Sequence, residues 1–461
     1  MKPIVFATIV GLALIACDDA DNTPQPEPEG GIVSVDTTSG TENQQEDSQQ
    51  VETQLIQYVY QDDSTAINLS TITENVDGDF CFNIVKQLNA LDEDNFLLSP
   101  ISVELAFAMV ANGAYGQSRQ QIMDALGYGS KSIDELNNHS KNLIAEWNDM
   151  NVDNARRNSE GYYGDNLYQQ TIETANAIWT DRKFPLYSDY IALCNSFFDA
   201  EASTMNFANE DSTLAVMNEW CNQKTHGMIP RMFSSLEPDL LTVIANALYF
   251  KASWEQPFDE WFTSKNDFHN ADNSIQEVDM MKCQMSFNYV RTENFVMAEL
   301  PYNGTTCMDI ILPDSSTDIS QCISELSSTR FAAATEKMLP KLLNLHLPKF
   351  DLKFDHNLVD VLKQLGITSV FGVAADLSKM GCAYENAFLS NVFQLSHISV
   401  DENGTEAAAV TVVAVANSAY IPPTKVVIPI EFNVNRPFAY IIRDTQTSTI
   451  LFVGKVEKLI N

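Results

Sequence analysis

From Ala407 to Ala416 the chain reads AAAVTVVAVA, a run with no charge, proline or glycine, inside a protein whose formal net charge is −35. It is preceded by DENGTE at residues 401–406 and followed by Pro422 and Pro423. Every residue of the run keeps its backbone N–H, and its valines and threonine favour an extended, pleated backbone. Two states satisfy such a run. It is either a strand already buried in a sheet, or a strand held outside a sheet that has room for it.

The rest of the chain narrows the class of protein. Its 461 residues are 45% apolar and only 19% charged, enough to build a large core. The acidic surface repels phosphate backbones and no basic stripe interrupts it, which excludes nucleic acid as a partner. There is no Gly-x-Ser-x-Gly elbow, His-Glu-x-x-His pair, phosphate loop or dinucleotide fingerprint. The histidines, His139, His226, His269, His346, His356 and His397, are scattered. After Cys17 come Cys81, Cys194, Cys221, Cys283, Cys307, Cys322 and Cys382, odd in number and without a Cys-x-x-Cys pair. They signal neither a disulfide framework nor a zinc site, and read as small buried hydrophobes. Asn303 and Asn403 head Asn-x-Thr matches, a pattern too short to carry meaning by itself. No catalytic group, cofactor or metal is signalled, so the protein is expected to act on its partners by shape rather than as an enzyme.

Residues 1–16 hold one lysine and an apolar stretch too short to span a bilayer, the pattern of an export signal. Leu14, Ile15, Ala16 and Cys17 resemble the lipobox of bacterial lipoproteins, in which the cysteine becomes the acylated N-terminus. The alternative is an ordinary secretory signal in which Cys17 is incidental. Asp18, Asp19 and Asp21 resemble the surface-export tag of some Gram-negative lipoproteins. The expectation is an exported protein, anchored through lipidated Cys17 at the outer membrane or cell surface of a Gram-negative bacterium. Residues 17–74 contain thirteen acidic residues after Cys17 and no lysine or arginine. They read as a disordered tether in which only Leu55–Gln61 has the composition to order locally. About 55 flexible residues have a root-mean-square reach of about 40 Å.

From residue 75 to 461 the texture is that of one α+β domain, with helices and strands mixed in no regular alternation. SPISVELAFAMVANGAYG has Ser99 placed as N-cap, Pro100 at the first helical position and Gly113 just past the end, with apolar residues on nearly every face. LLTVIANALYF, residues 240–250, reads as a strand covered on both faces, and FAYIIRD with TILFVGKV as a C-terminal strand pair.

The Asp401–Thr411 stretch, DENGTEAAAVT, resembles the hinge of the reactive-centre loop of serpins. It is accompanied, in that family's order and spacing, by SPISVELAFAMVANGA, NALYFKASWEQPF, ELPY, LHLPKFDL, LKQLGITSVF and NRPFAYIIRD. The resemblance covers about residue 77 to 461. It implies the serpin fold, with three β-sheets, about eight to nine α-helices and an exposed reactive-centre loop. It also implies a monomer that works as a suicide inhibitor. A target serine protease cuts the loop and forms an acyl-enzyme, and the severed loop inserts into the main sheet before the ester is hydrolysed.

The resemblance assigns the hinge to Glu402, Gly404, Thr405, Glu406, Ala407, Ala408 and Ala409. It pairs Glu402 with Lys349 near Trp254, and sets Ser99, Ser102 and Asn246 as a polar cluster under the sheet centre, where strands must part. Gln394 stands where many serpins have histidine, a departure that bears on one hydrogen bond there. In an inserted strand alternate residues face inward. With Thr405 inward, Ala407, Ala409, Thr411, Val413 and Val415 follow, and the opposite phase holds Glu406 as its one charge. Non-inhibitory serpins typically break this pattern with a bulky or charged residue near the hinge; this one does not.

Counting from Gly404 places the scissile bond between Ser418 and Ala419, within a residue or two. About fourteen residues at roughly 3.3 Å each carry the acyl group about 46 Å. The distance from Ser418 to Asn435 is longer than the family pattern, so either the leaving side is extended or the bait lies nearer Tyr420. Ser418 suits elastase-like or subtilisin-like serine proteases and Tyr420 a chymotrypsin-like pocket. Papain-like cysteine proteases stay open, while trypsin-like targets are disfavoured because the first basic residue past the hinge is Lys425. The alternative function is a non-inhibitory, chaperone-like binding module that is cleaved without trapping.

Overall fold

A computed structural model of the chain describes residues 32–33, 56–61, 63, 65–72, 79–91, 94–160, 170–231, 233–237, 240–382, 387–405 and 425–459. The chain opens with two short strands, β1 (Ile32–Val33) and β2 (Ile56–Tyr60). Then come α1 (Phe80–Asn89), β3 (Asn95–Leu98), α2 (Pro100–Gly113), α3 (Gly116–Ala125) and α4 (Ile133–Ser159). The middle of the chain alternates β4 (Thr171–Asp181), α5 (Ser188–Phe198), β5 (Ala200–Met205), α6 (Glu210–Lys224) and β6 (Thr242–Ser253). A meander follows: β7 (Ser264–His269), β8 (Ile275–Arg291), β9 (Phe295–Pro301) and β10 (Thr306–Pro313). After α7 (Ile319–Glu325) and α8 (Ser328–Glu336) lie β11 (Leu339–Pro348), β12 (Phe350–Asn357) and α9 (Val359–Gln364). The last strands are β13 (Asn391–Asp401), β14 (Gly404–Thr405), β15 (Lys425–Ile428), β16 (Ile430–Asn433), β17 (Phe438–Asp444) and β18 (Ile450–Val456). Among the described residues this is the expected mixed α+β architecture, with nine helices and three sheets.

Two compact units are distinguished, residues 1–60 with 419–427, and residues 61–418 with 428–461. In the smaller, the strands run in the order β1-β2-β15, with β1 antiparallel to β2 and Ile32 opposite Gln57. The larger holds a nine-stranded sheet, β16-β11-β8-β9-β10-β17-β18-β3 with β7 paired to β8, and a six-stranded sheet, β12-β13-β14-β6-β4-β5. The six-stranded sheet carries the candidate site.

Local sequence explains the elements that position it. The Ser99 side chain accepts from the Ser102 N–H and caps α2, Pro100 occupies the first turn, and nearly every residue of the helix is buried. Gly113 does not lie past the end of α2 as anticipated but is its last helical residue, followed by an extended Ala114. Its role is packing: a Cβ there would sit 2.8 Å from the Met380 side chain. β6 is buried along almost its whole length, as expected of a strand covered on both faces. β17 and β18 pair antiparallel, Phe438 opposite Val456.

The stretch anticipated as a disordered tether with local order at Leu55–Gln61, residues 17–74, also has structure between residues 63 and 72. Asp63 forms an ion pair with Arg291, the Ile67 N–H donates to the Arg291 carbonyl, and Leu69 is buried. Composition averaged over the whole segment hides these contacts, because a few well-placed polar groups and two or three apolar side chains are enough to dock a short strap.

Candidate functional site

The hinge is built from the end of β13 backward into the sheet. Asp401 closes β13, and its Oδ1 accepts from the N–H groups of Asn403 at 2.8 Å and Gly404 at 3.3 Å. This turn reverses the chain. β14 then runs between β13 and β6, with Thr405 opposite Val400 on one side and Ala252 on the other. Further down the sheet β13 pairs directly with β6, in parallel, from Asn391↔Val243 to Gln394↔Asn246. Described β14 is thus a two-residue wedge at the top of a seam whose lower part is closed.

Gly404 is required where it stands. Its φ is +151°, and a Cβ would lie 2.1 Å from the Ala252 carbonyl oxygen. Thr405 is 2% exposed and shares a hydrogen bond with the Tyr302 hydroxyl. Tyr302 in turn stacks on Trp254, with ring centroids 4.4 Å apart and planes 7° from parallel. Trp254 donates from its indole to the Asp401 carbonyl at 2.9 Å and from its backbone to the Asn403 carbonyl at 2.8 Å. The hinge is therefore held from below by an aromatic pair and from the side by β6.

Glu402 and Lys349 are brought together, with Nζ 2.7 Å from Oε2, while the Thr263 hydroxyl donates to Oε1 at 2.7 Å. The glutamate is buried and the lysine partly exposed. Burial works against the Glu402 charge, yet the hydrogen bonds from Lys349 and Thr263 outweigh it and hold the carboxyl below its usual range. Burial likewise opposes the Lys349 charge, and the Glu402 carboxylate overcomes it and raises the ammonium.

At the sheet centre Gln394, Asn246 and Asn176 sit side by side on β13, β6 and β4. Asn246 donates to the Asn176 side chain, which donates to the Phe198 carbonyl at 2.9 Å. Gln394, the departure from the family pattern, is bonded at both ends of its carboxamide. Its Oε1 accepts from the Ser99 N–H at 3.0 Å and its Nε2 donates to the Ser99 carbonyl at 2.8 Å, joining β13 to the start of α2. Among the described residues, Asn246 Oδ1 and Ser102 Oγ are buried without a protein hydrogen-bond partner.

Glu406, Ala407, Ala408, Ala409, Ser418, Ala419 and Cys17 lie outside the described residues. Asn176, Thr263, Tyr302 and Asp401 are members of the site that sequence reasoning did not assign. Tyr302 closes the ELPY motif, so its position was marked, but its partner, Thr405, is far along the chain. One acidic cluster, Glu299, Cys307 and Asp309, has the donor spacing of a metal site. Arg443 already donates to both carboxylates, at 2.7 Å to Asp309, and so occupies the cluster.

Residues 75–459 match the family model described as Serpin (serine protease inhibitor). The chain is 33% identical to Iripin-5 of Ixodes ricinus over 386 residues, covering 82% of this chain and 93% of that protein. It is 31% identical to Serpin A3-1 of Bos taurus over 388 residues, 82% and 87% of the two chains. Among solved structures, that of a thermophilic serpin, tengpin, in the native state aligns with a TM-score of 0.72 and 28% identity, covering 88% of this chain and 97% of that one. A thyroxine-binding globulin in complex with thyroxine aligns at 0.70 with 21% identity over 83% and 98%, a likeness of fold alone. With its fold, its hinge wedged into the six-stranded sheet and residues 75–459 matched, the chain belongs to the serpin family.

Proposed function

We propose that this serpin is an inhibitor of elastase-like or subtilisin-like serine proteases that works by loop cleavage, acyl-enzyme trapping and insertion of the severed loop into the six-stranded sheet. The observation that carries the reading is β14, a strand of Gly404 and Thr405 already seated between β13 and β6 at the top of a seam. The residues that follow Thr405 keep small or β-branched side chains on the inward phase, so the same seam can accept them in register. The scissile bond is Ser418–Ala419, and the covalent partner is the protease acylated through Ser418. The serpin is of the bacterial lipoprotein type, a monomer exported and anchored through lipidated Cys17 at the outer membrane or cell surface of a Gram-negative bacterium.

The test is incubation of the protein, prepared without residues 1–17, with a neutrophil-type elastase and with subtilisin, read by denaturing electrophoresis and intact mass. A covalent complex together with a released peptide starting at Ala419 is the expected result. Cleavage near Ser418 with no complex, and a product no more heat-stable than the intact protein, sinks the inhibitory reading in favour of a binding module. The anchor is read separately, since Cys17→Ala should move the protein from the membrane fraction to the soluble one.

A further inference from the structure

The chain beyond the loop runs as β15 and β16, two pieces separated by Pro429. β16 pairs in parallel with β11 from Leu343↔Ile430 to His346↔Asn433. One position earlier the ladder meets the proline, which has no N–H to give. At that level both backbone groups of Leu342 are taken by a side chain from far away. The Leu342 N–H donates to Gln61 Oε1 at 2.8 Å, and Gln61 Nε2 donates to the Leu342 carbonyl at 2.7 Å. The same Nε2 donates to the Ile428 carbonyl at 3.1 Å. A single primary amide, using both of its N–H donors, laces β11 to the residue before the proline.

The strap that delivers Gln61 is itself fastened. Arg291, at the end of β8, donates to Asp63 Oδ2 from Nε at 3.1 Å and from Nη2 at 3.0 Å. Further on, Asn68 Nδ2 donates to Glu293 Oε1 at 2.7 Å. The family match begins at residue 75, so the strap precedes the part of the chain that matches it.

We propose that Gln61 is a positioning residue of the trap: it holds the foot of the reactive loop on β11 and so keeps an uncut loop out of the six-stranded sheet. This rests on the insertion mechanism proposed above. An uncut loop is tied at the hinge and at the foot, and insertion carries Ser418 about 46 Å from the hinge. With the foot laced at Ile428, the leaving side from Ser418 is about ten steps long and reaches about 34 Å. Released back to β16 it is about twelve steps long and reaches about 41 Å. The two further steps gained on release favour premature insertion, and Gln61 withholds them. A cut loop has no such tie, so the lace does not slow the productive reaction.

The experiment compares the full-length protein with Gln61→Ala, Gln61→Glu and Asn68→Ala. Each is held at a fixed temperature and followed by melting point, intact mass and the fraction still able to form covalent complex with elastase. In Gln61→Ala the uncut chain should pass to a heat-stable, inactive form about tenfold faster than wild type, as expected for the loss of hydrogen bonds to a strand end. Freshly prepared variant should capture protease at a rate within twofold of wild type, an outcome that general destabilisation does not produce. Gln61→Glu keeps the shape and loses both N–H donors. It should shift in the same direction, and it carries the test if the alanine variant fails to fold. A Gln61→Ala lifetime within twofold of wild type overturns the proposal, as does an equal acceleration by Asn68→Ala. If wild type captures no protease, the inhibitory reading fails, while the melting of uncut chains still decides the role of Gln61.

Discussion

Replacing Gly404 with alanine tests the wedge directly. The added Cβ would lie 2.1 Å from the Ala252 oxygen and 2.8 Å from the Ser253 Cα, both backbone atoms of β6 with no freedom to swing aside. The variant can keep β14 in place at the cost of strain, about 1–3 kcal/mol for the backbone conformation before the collision is counted. Or it can expel β14, losing the pairing of Thr405 with Ala252 and Val400 and the hydrogen bond to Tyr302. Those bonds contribute about 1 kcal/mol each. The less costly route sets the size of the effect, about 2–3 kcal/mol against the closed wedge. Since about 1.4 kcal/mol is tenfold, this is a loss of about 30- to 150-fold in amide protection at Thr405. Native-state hydrogen exchange of peptides covering residues 400–405 reads it, and the lower seam, Asn391–Gln394 against Val243–Asn246, serves as an internal control that should not change. A Thr405 amide that exchanges within threefold of wild type would show that the wedge does not depend on the glycine.

Thr405→Arg should turn the inhibitor into a substrate. Burying an unpaired guanidinium at a position 2% exposed costs about 3 kcal/mol or more, slowing insertion by a factor of about 100 while the loop is still cut, and a surviving covalent complex would refute this. Glu402 predicts an acid dependence. Its folded pKa lies below its unfolded value of about 4.5, so its stabilisation is complete above that value and is lost as pH falls through the folded pKa. Wild type and Glu402→Gln should therefore differ most above pH 4.5 and converge in stronger acid in urea melts, and parallel acid slopes would count against it. Native thiol labelling should modify exposed Cys382 quickly and spare Cys194 and Cys322, whose thiols burial pushes up to about 12. Equal rates at Cys194 and Cys382 would show that the core opens.

The elements that were legible in sequence are those whose signal is local. The cap of α2 needs only Ser99 and Pro100, and the apolar length of β6 and the turn between β17 and β18 announce themselves in a window of a dozen residues. The hinge was legible because Gly404 and its neighbours carry a family pattern. What was not legible is pairing at a distance. No pattern along the chain sets Gln394 beside Asn246 and Asn176, because alternation determines which face a side chain takes and not which strand lies next to it. Gly113 was misplaced by one position because glycine after a helix usually signals a left-handed cap, whereas here Met380 crowds the Cα. Local order at Leu55–Gln61 was anticipated, but the partners of Gln61 and the docking of residues 63–72 escaped, because three hydrogen bonds at one amide leave no trace in composition.

Gln394 gives the centre of the sheet a property that an imidazole would not. Its carboxamide bonds both backbone groups of Ser99, and an amide neither gains nor loses a proton between pH 5 and 8. The joint between β13 and α2 therefore has the same strength in neutral and in mildly acidic surroundings. Of the two fastenings, the Glu402–Lys349 pair at the top and the Gln394–Ser99 joint at the centre, it is the Glu402 carboxylate that titrates, below its usual range. In an acidified compartment and in neutral fluid the central joint is the same, set by shape and hydrogen bonds and not by the medium.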